Sequence, residues 1–192
     1  MFVQSKDEIM TKTVCVFGGA ASGNHPEYQQ EATRLGQMLG ARGYEVIYGG
    51  GHTGMMGALA DGALSSNGTV HGVIPSFLKN REIGHEDIAS LTITDTMHER
   101  KKIMYDAADA FVVMPGGLGT LDETMEVLTW VQLGLLNAPV LVLNINDYWT
   151  PMANMLNHLV KAGFMHSARL DYVRYSTDTD ALIDHLSELL PA

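Results

Sequence analysis

An α/β fold with a mostly parallel sheet flanked by helices is the class this sequence predicts, and three observations carry it. Continuous apolar runs of strand length recur at 14–17, 46–48, 70–74, 91–94, 110–114 and 140–143, and strands without polar alternation are buried on both faces. Helical patterns fill the gaps at 26–42, 54–65, 97–108, 120–135, 148–161 and 178–190. That alternation builds a sheet covered by helices on both sides. Glycine-rich turns follow three of the strands directly, at the strand ends where an open α/β sheet binds its ligand.

The first strand runs into Gly18-Gly19-Ala20-Ala21-Ser22-Gly23, and Pro26 opens the first helix, where its missing N–H does least harm. The second strand ends in Gly49-Gly50-Gly51-His52-Thr53-Gly54, ahead of the second helix. The third ends at Ile74-Pro75, and residues 75–90 form the one long stretch without a pattern, expected to be a binding loop. After the fourth strand, Thr96-x-x-Glu99 forms a capping box that starts the helix at 97. The fifth strand leads into Pro115-Gly116-Gly117-Leu118-Gly119-Thr120-Leu121-Asp122-Glu123, the most informative run in the chain. Pro139 and Pro151 mark the edges of the last strand and the helix after it. No repeat, low-complexity segment or linker interrupts this order, so an N-terminal tail over 1–12 and a single domain over 13–192 are expected.

Composition narrows the function classes. A net charge of −10 argues against general nucleic-acid binding, whose affinity comes mainly from neutralising backbone phosphates. No stretch approaches the roughly 20 apolar residues that span a bilayer, and residues 1–12 lack the apolar core of a signal peptide. No membrane role is expected. Cys15 is the only cysteine, which excludes an intrachain disulfide and points to a reducing, cytoplasmic compartment. The eight histidines include no H-E-x-x-H or other ligand spacing, so no metal site is expected.

The motifs differ in weight. Gly49 to Gly54 matches G-x-G-x-x-G formally, yet it follows the second strand, and no acid stands after the third to hold a ribose hydroxyl. Tight turns and close helix packing explain its glycines as well as a mononucleotide contact does. No Gly-Lys-Ser/Thr and no G-x-S-x-G occurs, which removes the P-loop and the common α/β-hydrolase readings. Ser76-x-x-Lys79 lacks the companion motifs of penicillin-binding enzymes and is read as chance. His98 is read as a surface or supporting residue.

Arg100 and Glu123 stand apart because both conflict with their surroundings. Arg100 shares a helical stripe with Ile103, Met104 and Ala107, and Glu123 one with Val127 and Trp130. A buried charge is costly unless it is paired or bound. The bland alternatives are a snorkelling or structurally paired arginine, and a glutamate spent on a Thr120-x-x-Glu123 capping box. Both residues lie in the first turn of a helix that leaves a strand end, so they can meet across the crevice. Glu126, one turn on, is a second candidate carboxylate. The glycines and helix N-terminus of the 115–123 run suit a phosphate, held at Gly119 and Thr120. Gly19 and Gly50 of the other two turns converge on the same crevice.

The pair Met97-His98-Glu99-Arg100-Lys101 and Pro115 to Glu123 resembles the joint signature, M-H-x-R-K and P-G-G-x-G-T-x-x-E, of the LOG ("lonely guy") family. The similarity extends through Gly49-Gly50-Gly51, Ile74-Pro75, 129–134 and Leu143-Asn144-Ile145. The family are cytokinin riboside 5'-monophosphate phosphoribohydrolases, long mislabelled lysine decarboxylases. The resemblance implies a Rossmann-like three-layer homodimer that hydrolyses the N-glycosidic bond of N6-modified AMP, or of AMP, without any cofactor. It implies Arg100 and Glu123 as the catalytic pair. It implies Glu82, Lys101, Gly116, Gly117, Leu118, Gly119, Thr120, Leu121, Asp122 and Thr129 as substrate contacts. Two departures stand out: Gly18-Gly19-Ala20-Ala21 replaces the family's Cys-Gly-Ser-Ser, and His52-Thr53 its commoner Ser-Val. Two other readings stay open, a non-catalytic protein that binds a nucleotide or nucleotide cofactor, and a decarboxylase. The latter needs a lysine Schiff base with pyridoxal phosphate, for which the sequence offers no support. Apolar residues around the helix 120–135, including Trp130, Leu133 and Leu135, exceed what one sheet face needs and favour a dimer.

Overall fold

The computed structural model describes residues 11–82, 84, 85, 87–166 and 171–191; the expected tail thus lies outside the described residues except for 11 and 12. In chain order the elements are β1 (Thr13–Phe17), α1 (Pro26–Ala41), β2 (Glu45–Tyr48), α2 (Gly54–Ser65), β3 (Val70–Pro75), α3 (Ser76–Glu82) and β4 (Ser90–Thr94). They continue with α4 (Met97–Ala107), β5 (Ala110–Val113), α5 (Leu118–Gln132), β6 (Val140–Leu143), α6 (Thr150–Lys161), β7 (Val173–Ser176) and α7 (Thr179–Leu189). The strands form one sheet in the order β4-β3-β2-β1-β5-β6-β7, and every ladder is parallel.

Strand alternation separates two cores. Val14 and Val16 of β1, with Val112 and Leu141, face Leu35 and Leu39 of α1, Leu59 of α2 and Leu186 of α7. Cys15 and Phe17, with Phe111, Val113, Val140 and Val142, face Met104 and Tyr105 of α4, Val127 and Val131 of α5, and Met152 and Leu156 of α6. Central strands buried on both sides have no polar face to show, hence their unbroken apolar runs.

Strand order reverses at β1. The chain winds outward through β2, β3 and β4, then returns to pair β5 with the other side of β1. The C-terminal ends of β1 and β5 therefore border the switch-point crevice of this sheet.

Three expectations are corrected. The stretch after Pro75 is helical over α3; two turns carry too little periodicity to be read from sequence. A seventh strand, β7, closes the β6 edge, and its half-exposed pattern lacks the apolar run by which central strands were recognised. Helix α5 starts at Leu118 with Gly117 as its N-cap, so Thr120 lies inside the helix and forms no capping box with Glu123. Among the described residues no helix is long and apolar enough to cross a membrane.

Candidate active site

The β1 and β5 turns meet backbone to backbone. Gly19 N–H donates to Pro115 O at 3.0 Å. A Cβ on Gly116 would strike Thr120 Oγ1 and sit 2.8 Å from Gly19 N, while one on Gly19 would come within 3.2 Å of Gly116 Cα. A side chain is excluded at Gly116, and at Gly19 it fits only if the facing backbone gives way by a few tenths of an ångström. Beyond them Gly117 and Gly119 face open space, beside the first turn of α5, whose N–H groups have no intrahelical partner. This leaves a partial positive charge and directed donors at one wall of a cavity of about 470 Å³.

Arg100 and Glu123 close the inner end of that cavity. Arg100 Nη2 lies 3.3 Å from Glu123 Oε1, and each side chain is only 8% exposed. The Arg100 Nε–H donates to Val73 O at 3.1 Å, tying the guanidinium to the end of β3. The expected capping box sets up this placement. Glu99 N–H donates to Thr96 Oγ1 at 3.2 Å and Thr96 N–H to Glu99 Oε2 at 3.2 Å, fixing the first turn of α4 so that the next residue, Arg100, points inward. Desolvating an ion pair costs several kcal/mol per charge, and an apolar pair of the same volume is often at least as stable. A buried arginine and glutamate lining a cavity are thus poorly explained by stability.

Lys101 takes a different direction from Arg100. Its ammonium pairs with Asp122 Oδ2 at 2.7 Å and Glu126 Oε2 at 2.9 Å. Burial disfavours the charged lysine, but hydrogen bonds and charges from Asp122 and Glu126 outweigh it and raise its pKa. Tyr105 Oη donates to the same Glu126 carboxylate at 3.0 Å. Burial, then the Glu126 charge, push the phenol pKa up, which keeps that donor protonated. Glu126, the second candidate carboxylate, is thereby engaged in bracing α4 against α5.

Of the residues singled out from sequence, the cavity lining unites Arg100, Glu123, Gly19, Gly116, Gly117, Gly119 and Thr120. Lys101, Leu118, Leu121, Asp122, Thr129 and Gly50 lie outside that lining. Leu118 and Leu121 border an adjoining apolar groove. Thr129 Oγ1–H donates to Met125 O at 2.7 Å. Gly50 has a φ of +77° and accepts from His85 N–H at 3.1 Å, so it serves a tight turn. Glu82 ends the backbone of α3, and its side chain lies outside the described residues. His98 is exposed.

Sequence reasoning missed Tyr28 and Tyr148, which also line the cavity. Their rings meet edge-on at 5.7 Å, and Tyr148 Oη–H donates to Gly116 O at 2.5 Å. Tyr148 follows the end of β6, so extending the strand-end rule one strand past β5 would have found it.

Fold and site together define a doubly wound α/β protein whose switch-point cavity pairs a buried arginine and glutamate with a glycine-rich helix start. The family model described as "Possible lysine decarboxylase" matches residues 56–186. A cytokinin riboside 5'-monophosphate phosphoribohydrolase from Rhodococcoides fascians is 40% identical over 173 residues, covering 90% of this chain and 87% of that protein. Cytokinin riboside 5'-monophosphate phosphoribohydrolase LOG7 of Arabidopsis thaliana is 38% identical over 94% of this chain and 83% of its own length. The chain belongs to this LOG family. Among solved structures, a molybdenum cofactor binding protein from Rippkaea orientalis superposes with a TM-score of 0.72 at 22% identity, over 95% of this chain and 99% of that one. The molybdenum cofactor carrier protein of Chlamydomonas reinhardtii also gives 0.72, at 21% identity and the same coverages. These two likenesses establish the fold.

Proposed function

We propose that this protein hydrolyses the N-glycosidic bond of a nucleoside 5'-monophosphate of the AMP type, with cytokinin riboside 5'-monophosphate the substrate its relatives' names support, giving free base and ribose 5-phosphate. The observation that carries this reading is the buried pair of Arg100 and Glu123, 3.3 Å apart beside the α5 N-terminus. Residues 13–192 act in it as one nucleotide-binding unit.

Cleaving a base from ribose passes through an oxocarbenium-like sugar. A carboxylate near C1' stabilises the growing positive charge and positions the water that adds there. Glu123 takes that role. Arg100, fixed by Val73 O, holds the carboxylate and the ribose in register; it is a donor that stays charged. The 5'-phosphate sits at the first turn of α5, against Gly117, Gly119 and Thr120, with backbone N–H groups as donors. Lys101, Asp122 and Glu126 set the spacing of α4 and α5 and so of the catalytic pair.

A decarboxylase reading fits less well. A Schiff-base lysine must give up its proton, whereas Lys101, the one buried lysine among the described residues, is held protonated by two carboxylates.

Incubating the protein with AMP, N6-isopentenyl-AMP and the matching nucleosides, then separating the bases by chromatography, tests the proposal. Each charge-assisted hydrogen bond to the phosphate contributes about 1.5–3 kcal/mol, and binding energy remote from the reacting bond raises kcat/KM. The monophosphates should exceed the nucleosides on the order of 10²-fold or more. Equal rates would refute the phosphate site. AMP bound tightly with no base released would instead place this chain among nucleotide-binding proteins.

The working form in this proposal is a homodimer. Leu118, Leu133 and Leu135 are 85%, 64% and 65% exposed, and Leu118 borders an apolar groove at the cavity mouth with Trp149, Met152 and Met155. A second copy covers such a surface. Light scattering after size exclusion should give twice the chain mass; a monomer alone removes the dimer from the account. The compartment proposed is the cytoplasm, where the buried Cys15 thiol stays reduced.

A further inference from the structure

Outside the catalytic cavity, the turn after β2, the helix α2 that follows it and the segment after α3 bring nitrogen and carboxylate donors together. His52 comes from the turn after β2, Asp61 from the middle of α2, and His85 from the segment after α3. One ligand atom of each lies within 4.8 Å of the other two. We propose that His52, Asp61 and His85 form a binding site for one divalent cation of the zinc class. The proposal stands independently of the reaction assigned above.

The geometry is close to a coordination sphere. His85 Nε2 lies 3.0 Å from Asp61 Oδ1. Two ligands held by tetrahedral zinc at ~2.0 Å stand ~3.3 Å apart, so a cation takes the place of the proton between them with little movement. Asp87 N–H donates to His85 Nδ1 at 3.3 Å, which leaves Nε2 turned to Asp61. Coordination through Nε2 needs the ring N–H on Nδ1 and so gives up this long contact. The His52 ring stands edge-on to His85 at 4.3 Å between centroids. His52 is exposed, and one of its ring nitrogens lies within 4.8 Å of both other donors.

Two further features support the site. The backbone holds the segments in register: Gly51 bridges to Gly84, and His85 N–H donates to Gly50 O at 3.1 Å. A cleft of about 370 Å³, lined by Gln29, Gln30, Thr33, His52 and Asp61, opens onto the donors and provides entry and room for a water as fourth ligand. A His-Asp pair alone satisfies both partners and has no use for a second imidazole. Two imidazoles and a carboxylate suit zinc, whereas magnesium and calcium favour all-oxygen shells. Spacing rules in sequence missed the group because none of its members is a close sequence neighbour of another. A bound cation would clip the segment after α3 to the glycine turn that packs against Arg100, since a Cβ on Gly49 would strike Arg100 Nη2.

Chelator-treated full-length protein titrated calorimetrically with zinc chloride provides the test, alongside His52→Ala, Asp61→Asn and a control at the exposed His158, His158→Ala. Both site variants change exposed side chains, so their folds should persist. The expected result is one zinc per chain, with affinity lower by about tenfold or more in each site variant, at least the loss seen for outer-shell partners, and unchanged in His158→Ala. Zinc about a hundredfold above Kd should raise the wild-type Tm by roughly 5–10 °C, and cobalt should give the visible bands of a tetrahedral site. Wild-type affinity retained in either site variant, or no saturable uptake at millimolar zinc, overturns the proposal.

Discussion

Glu123→Gln should release base from AMP-type substrates about 10²- to 10³-fold more slowly than the wild type, the usual effect of removing one preorganised charge-stabilising group. The amide keeps the shape of the carboxyl and still accepts from Arg100, which lies 3.3 Å from Glu123 Oε1, but it offers no negative charge to the sugar. Because the lost interaction belongs to the transition state, kcat and kcat/KM should fall together while KM changes little. The fold should survive, since the β1 and β5 turns that shape the cavity are held by backbone contacts. Steady-state base release and far-ultraviolet circular dichroism on the same preparation check both statements. Undiminished turnover would remove Glu123 from the chemistry.

Arg100→Met is expected to lose activity to a similar extent and, in addition, stability. The thioether fills the stripe beside Ile103 and Met104 but takes the guanidinium away from the buried Glu123 carboxylate and from Val73 O. Removing one partner of a buried pair costs about 3–5 kcal/mol, roughly 6–20 °C in Tm for a chain of this size. Arg100→Met/Glu123→Leu should be more stable than Arg100→Met alone, because the buried carboxylate has gone. Thermal denaturation of the three proteins decides it. A double variant that melts below the single one would show that the pair is not coupled in the buried way its geometry indicates.

Much of the site was legible because it rests on local rules. Thr96-x-x-Glu99 is a capping box readable in four residues, and it forms as expected. The charges of Arg100 and Glu123 conflict with their apolar stripes, and the structure resolves both conflicts in one contact. Tyr148 could be flagged only as a residue after a strand end; that it reaches this cavity depends on β6 lying beside β5 and on the 3-10 turn Ile145–Asp147 that carries it back to Gly116. The direction of Lys101 was hidden for a related reason. It is adjacent to Arg100, and only the packing of α4 on α5 sends one side chain to the cavity and the other to Asp122 and Glu126.

By itself the sequence determined the alternation of strands and helices, the glycine turns and the two residues whose charge contradicts their surroundings, because propensity, periodicity and capping act over a few residues at a time. The tertiary structure alone decided which strands are neighbours, that the β2 turn stays outside the cavity shared by the β1 and β5 turns, that Lys101 pairs with Asp122 and Glu126, and that His52, Asp61 and His85 meet. Those outcomes depend on contacts between segments distant in the chain, whose closure is set by the packing of the whole sheet and not by any local pattern.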